Sequence, residues 1–174
     1  MKKLLFKEEQ EFDKRWLWLL MLVAVSAAAI PFIRGLYFLT AENPPGDTPM
    51  TTGGLVVTGV TVVIMVVIFI LLFRAKLKTK VTADKLSVCF PPLVRKWKDI
   101  DPSEIEKYEL RQYHPKREYG GRGIKRRLRK GSAWTVAGRI GLQLYMKNGK
   151  RFLIGTQKQQ ALEHAMQKLM EKED

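Results

Sequence analysis

The chain has 174 residues, of which 31 are lysine or arginine and 17 aspartate or glutamate, giving a formal net charge of +14, and 46% are hydrophobic. The single cysteine, Cys89, excludes an intrachain disulfide framework and fits a reducing cytosol. The charge is also unevenly spread: residues 74–174 hold 25 basic and 11 acidic residues, whereas residues 1–73 hold 6 of each, so the whole excess belongs to the C-terminal part.

Residues 1–15 read as a cytoplasmic leader, in which Lys2, Lys3, Lys7, Lys14 and Arg15 are offset by Glu8, Glu9, Glu11 and Asp13. Such mixed charge argues against a cleaved signal peptide, which starts plainly positive. Two apolar runs follow, Trp16 to Ile33 within a segment 16–39, and Leu55 to Phe73. At about 1.5 Å per residue each makes a helix of roughly 27–29 Å, close to the hydrocarbon thickness of about 30 Å, so both are predicted to span a membrane. Trp16 and Trp18 sit where indole rings anchor at the headgroup boundary, and Arg34 and Tyr37 fit the opposite boundary, with Arg34 snorkelling to the headgroups. Residues 40–54 form a short external link rich in turn formers, Asn43-Pro44-Pro45-Gly46-Asp47, with no lysine or arginine. Five basic residues precede the first span and five lie between Arg74 and Lys85. The positive-inside rule then places both termini in the cytoplasm, as a multi-pass protein of the cell (inner) membrane, with Arg74 as an interface anchor.

Residues 74–174 are predicted to form one mainly-β cytoplasmic domain. Lys76, Lys78 and Lys80 alternate with Leu77, Thr79 and Val81, which makes a strand with three ammonium groups on one face. Leu86 to Phe90 alternates again and stops at Pro91-Pro92, because neither proline donates to a ladder. Short strands follow at Val94 to Lys98 and Ile105 to Tyr113. Tyr119-Gly120-Gly121-Arg122-Gly123-Ile124 marks a bent or bulged stretch. Ser132 to Val136 and Leu142 to Met146 are strands separated by Gly138-Arg139-Ile140-Gly141, and Asn148-Gly149 is a strong hairpin signal leading into Arg151 to Ile154. Leu162, Ala165, Met166 and Leu169 fall at helical spacing, which predicts a C-terminal amphipathic helix of about four turns. Seven or eight strands and one helix imply a roll or barrel whose open end the helix plugs.

Several stretches resemble one group in detail: Glu9-Gln10-Glu11-Phe12, Tyr119 to Ile124, Trp134-Thr135-Val136-Ala137-Gly138, and Asn148 to Gln157. They are similar to the bacterial pleckstrin-homology-like domains carried by small, uncharacterised two-span membrane proteins, and the likeness covers nearly the whole chain. It implies a roll of about seven strands capped by a C-terminal helix, and it implies no reaction. Arg122 stands where the group leads one to expect an aromatic residue.

The residues themselves carry no catalytic constellation. A dinucleotide fingerprint needs a glycine where Arg126 stands, and Lys130-Gly131-Ser132 has the P-loop order wrong. His114, His164 and Cys89 lie too far apart in sequence to suggest a metal set, and no base neighbours Ser132 or Cys89, so neither a cofactor nor an enzyme activity is expected. The informative stretch is Arg122 to Lys130, with six cations, Arg122, Lys125, Arg126, Arg127, Arg129 and Lys130, in nine residues and no carboxylate. With Arg117 and the comb Lys76, Lys78 and Lys80 it is expected to form a cationic rim that contacts anionic lipid headgroups. A solvated basic edge that discourages sheet-to-sheet pairing explains the same charges. A protein-interaction scaffold or accessory subunit of a membrane complex is the alternative function. Nucleic-acid binding, with Tyr119 and Trp134 as stacking groups, comes third.

Overall fold

The computed structural model describes residues 3–12, 14–40, 51–127 and 130–171. It divides into two compact units, one made of residues 1–12 with 74–174 and the other of residues 13–73.

The second unit is a pair of long apolar helices, α1 (Lys14–Thr40) and α2 (Thr52–Arg74), both long and apolar enough to cross a membrane. They lie side by side and antiparallel. Trp18, near the start of α1, meets Phe73, near the end of α2, with ring centroids 5.1 Å apart. Further along, Phe32 packs over Gly59, where an added Cβ would come within 3.0 Å of the ring. On α2 the hydroxyls of Thr58 and Thr61 donate to the carbonyls of Gly54 and Val57 (both 2.8 Å), which hides the polar groups of an otherwise apolar surface.

The first unit is mostly β. Its first sheet has the order β1-β2-β3-β4, from β1 (Leu4–Glu11), β2 (Lys76–Thr82), β3 (Leu86–Phe90) and β4 (Val94–Ile100). The second has the order β5-β8-β9-β7-β6, from β5 (Ile105–Gln112), β6 (Gly123–Arg127), β7 (Gly131–Thr135), β8 (Ile140–Met146) and β9 (Arg151–Thr156). A 3-10 turn at Pro102–Glu104 precedes β5, a short helix α3 (Pro115–Tyr119) precedes β6, and α4 (Gln159–Met170) ends the fold. All pairings are antiparallel except β7 with β9, which run parallel. The apolar face of α4, Leu162, Ala165, Met166 and Leu169, is buried in the main core as its spacing predicts.

Nine strands among the described residues exceed the seven or eight expected, because β1 and β6 add to them. Residues 1–15 do not act only as a leader: Leu4–Glu11 is strand β1, paired along its length with β2. Its inward face is Phe6, Glu8 and Gln10, all under 7% exposed, so two polar residues stand where an amphipathic strand would show apolar ones. The basic stretch likewise contributes a strand, β6.

The strands of the second sheet run across those of the first. At one end of β9 the Lys98 ammonium of β4 lies 4.2 Å from the Phe152 ring; at the other, Thr156 donates to Glu8 of β1 (2.7 Å). Trp134 on β7 packs edge-on against both Phe152 (5.5 Å) and Phe90 (6.4 Å), and Phe90 in turn meets Phe12. Phe90 and Phe12 mark the end of the first sheet where β1 stops and β2 starts, with Glu11 opposite Lys76 and the Lys76 amide donating to the Pro91 carbonyl (3.0 Å). Strand β5 starts from the other end, just past Ile100. Consequently β7, and outside it the edge strand β6, lie at the end where the chain leaves for α1 and returns from α2.

A candidate anion-binding surface

Strand β6 is positioned by the turn that leads into it. Glu118 on α3 accepts from Arg111 (2.8 Å) and from the His114 amide (2.7 Å), and these bonds hold its carboxyl below the usual range although burial opposes them. Tyr119 is buried with Tyr113, Ala133 and Leu153 in a second small cluster. The chain then reverses through Gly120, whose φ of 75° is left-handed and whose amide donates to Lys116. The glycine-rich stretch therefore delivers the chain from α3 into an edge strand.

On that strand Ile124 packs against the core, and alternation puts Arg126 on its side and Lys125 with Arg127 on the other. Arg117 on α3, Arg122 in the turn and Lys130 beyond the strand are all exposed. None of these cations forms an ion pair among the described residues. Arg129 and the side chain of Trp16 lie outside the described residues.

The comb behaves differently. Lys76 is held by Glu9 (3.2 Å) and Glu11 (2.6 Å), and Lys78 by Glu9 (3.4 Å), all from β1. The hydrogen bond that Lys76 donates to Glu9 pulls that carboxyl below its usual range, and the one it donates to Glu11 raises the Lys76 ammonium. Lys80 lies 4.8 Å from the Trp97 ring. Comb and β6 also sit in different sheets, so in place of the single rim expected to join them there is a ladder on one sheet, in which Lys76 and Lys78 are ion-paired, and a basic edge without ion pairs among the described residues on the other. The ladder was hidden because its acidic half comes from β1.

The aromatic residues sort clearly. Trp134 is buried and Trp97 is 42% exposed. Tyr119 and Trp134, 3% and 8% exposed, offer no free face for a stacked base. On the helices Trp18, Arg34 and Tyr37 are exposed, as is Arg74.

Three cations that sequence reasoning left aside join Arg126 and Arg127 around a cleft: Lys98 on β4, and Lys150 and Arg151 at the β8–β9 hairpin. Only the Lys150-Arg151 pair following Asn148-Gly149 carried a local hint. The chain matches no protein-family model, no curated protein and no solved structure.

Proposed function

We propose that this chain is a non-catalytic binding module, anchored in the cell membrane by a two-helix hairpin, whose cytoplasmic β domain engages anionic lipid headgroups through edge strand β6. The observation that carries the reading is that β6, with Lys125, Arg126 and Arg127 unpaired among the described residues, edges the end of the β domain that connects to both helices. A hairpin has both open ends on one side of a bilayer, and Lys14, Arg15 and Arg74 at those ends fit the cytoplasmic leaflet. The turn between β3 and β4 lies at the same end, with Leu93 62% exposed and Arg95 and Lys96 beside it, a composition suited to the headgroup boundary. Two β layers and a C-terminal helix are elements that the pleckstrin-homology-like resemblance implies.

Because Glu11 and Lys76 are register partners, replacing residues 13–74 by Asn-Gly closes β1 and β2 into a hairpin and frees the β domain from its helices. This fragment is expected to float with phosphatidylcholine vesicles only when phosphatidylglycerol is added. Each cation near the leaflet is worth about 1 kcal/mol, so K125Q/R126Q/R127Q is expected to weaken binding on the order of a hundredfold. A triple variant that floats as well as the parent would refute the lipid reading and favour a protein partner paired along the β6 edge.

A further inference from the structure

Between β4, the facing ends of β6 and β7, and the β8–β9 hairpin opens a cavity of about 650 Å³. That volume lies within the range of about 300–1,000 Å³ typical of small-molecule sites. Five cations line it, Lys98, Arg126, Arg127, Lys150 and Arg151, against two carboxylates, Asp99 and Glu104. Asp99 is already committed to Ser87 (2.6 Å) and to Lys85. Glu104 alone faces the five.

The cations are not equivalent. The Arg151 guanidinium lies over Tyr145 (5.5 Å), and Arg127 reaches back over Gly120. Lys98, Arg126 and Lys150 have no acceptor among the described residues. Lys98 is the most telling: its ammonium rests on the Phe152 ring, and burial, then Lys150, holds its pKa below the ordinary lysine value. Lys98 and Lys150, sharing one cleft with no acceptor of their own among the described residues, repel each other unless an anion joins them. The Ser132 hydroxyl, also in the lining, adds a neutral donor. Converging lysine, guanidinium and hydroxyl donors suit a multiply charged, multiply accepting group better than a single carboxylate, which would neutralise one of three cations.

We infer that this cleft is a stoichiometric binding site for a phosphomonoester or diphosphate group, with Lys98, Arg126 and Lys150 as its ligands. It shares Arg126 with the proposed lipid-facing strand but does not depend on the membrane reading, because every residue of the cleft belongs to the β domain. The dianion would be held in an open cleft by residues of both sheets, and that convergence separates this site from diffuse attraction to lipid.

The test uses the full chain in nanodiscs of neutral phosphatidylcholine, titrated with inorganic pyrophosphate by calorimetry. Saturable one-to-one binding is expected, weakened about tenfold or more by Lys98→Met and by Lys150→Gln, since a hydrogen bond to a charged group is worth about 1.5–3 kcal/mol. Lys150 is exposed, so its variant reports on the site and not on folding. Lys78→Gln, at an ion-paired cation of the ladder, is expected to bind like the parent. Absent or non-saturable binding, or equal weakening by Lys78→Gln, would overturn the site. Nanodiscs carrying phosphatidic acid, compared with phosphatidylglycerol at matched total charge, identify the source. Competition by phosphatidic acid alone assigns the site to a lipid phosphomonoester, and no competition assigns it to a soluble one. Should pyrophosphate fail while the β domain still floats with anionic vesicles through β6, the cleft is refuted and the membrane reading stands.

Discussion

Replacing Glu8 by alanine is expected to lower the unfolding free energy of the β domain by about 3 kcal/mol, and removing residues 1–12 to abolish its folding. Glu8 is 4% exposed and accepts two bonds from the far end of the chain, from the Thr156 hydroxyl (2.7 Å) and the Gln157 amide (2.8 Å). Its neighbour on the inward face, Gln10, donates to the Gly155 carbonyl (2.7 Å). These bonds join the first sheet to the last strand just before α4, so β1 acts as a clasp between the two sheets. A hydrogen bond to a charged group contributes about 1.5–3 kcal/mol, and a buried donor left without its acceptor costs about 1–3 kcal/mol. Glu8→Gln keeps one carbonyl acceptor and is expected to cost roughly half as much as alanine. Removal of the strand goes further, because it exposes the edge of β2 and leaves the Lys76 and Lys78 ammonium groups without Glu9 and Glu11. Chemical denaturation of the helix-free fragment measures both variants. An unchanged midpoint for Glu8→Ala would mean that β1 is dispensable to the sheet-to-sheet contact.

The same residues explain where sequence reasoning succeeded. Strands β2 and β3 were legible because their alternation is carried by Leu77, Val81, Leu86 and Val88, whose burial is a local matter of apolar surface. The last helix was legible for the same reason, and the β8–β9 turn because Gly149 takes the left-handed backbone that glycine tolerates, at φ +74°. Strand β1 escaped notice because its inward Glu8 and Gln10 are compatible with burial only through partners more than 140 positions away. From sequence the lysine comb reads as an open cationic face for the matching reason: the carboxylates that pair with Lys76 and Lys78 enter from a segment separated from it by both long helices. The cleft was hidden because Lys98, Arg126 and Lys150 come from three hairpins that meet only when β9 crosses under β4. Trp97 shows the limit of composition, since a tryptophan in a small β domain is ordinarily core, and here it lies half open beneath Lys80.

Gly131→Ala is expected to destabilise the β domain by about 2–4 kcal/mol, against about 1 kcal/mol for Gly149→Ala. Both glycines have left-handed backbone, with φ of +78° and +74°, so both substitutions carry the same conformational cost of about 1 kcal/mol. Their surroundings differ. At Gly149 an added Cβ meets nothing within 4 Å, whereas at Gly131 it would lie 2.0 Å from the Arg151 carbonyl oxygen and 2.8 Å from the Arg151 Cβ. That contact is with backbone at the start of β9, where Ser132 and Phe152 pair in parallel, and it is relieved only by moving one strand away from the other. Overpacking of this kind costs about 1–3 kcal/mol beyond the conformational term. The strands that would part carry the Arg126–Arg127 end of β6 on one side and the Lys150–Arg151 hairpin on the other, both in the lining of the cleft. Gly131→Ala is therefore expected to lose pyrophosphate binding together with stability, while Gly149→Ala loses a little stability and keeps binding. Thermal melts of the two variants in parallel provide the comparison. Equal melting temperatures would show that the close approach of Gly131 to Arg151 does not constrain the hairpin, and would remove the packing basis for a preformed cleft.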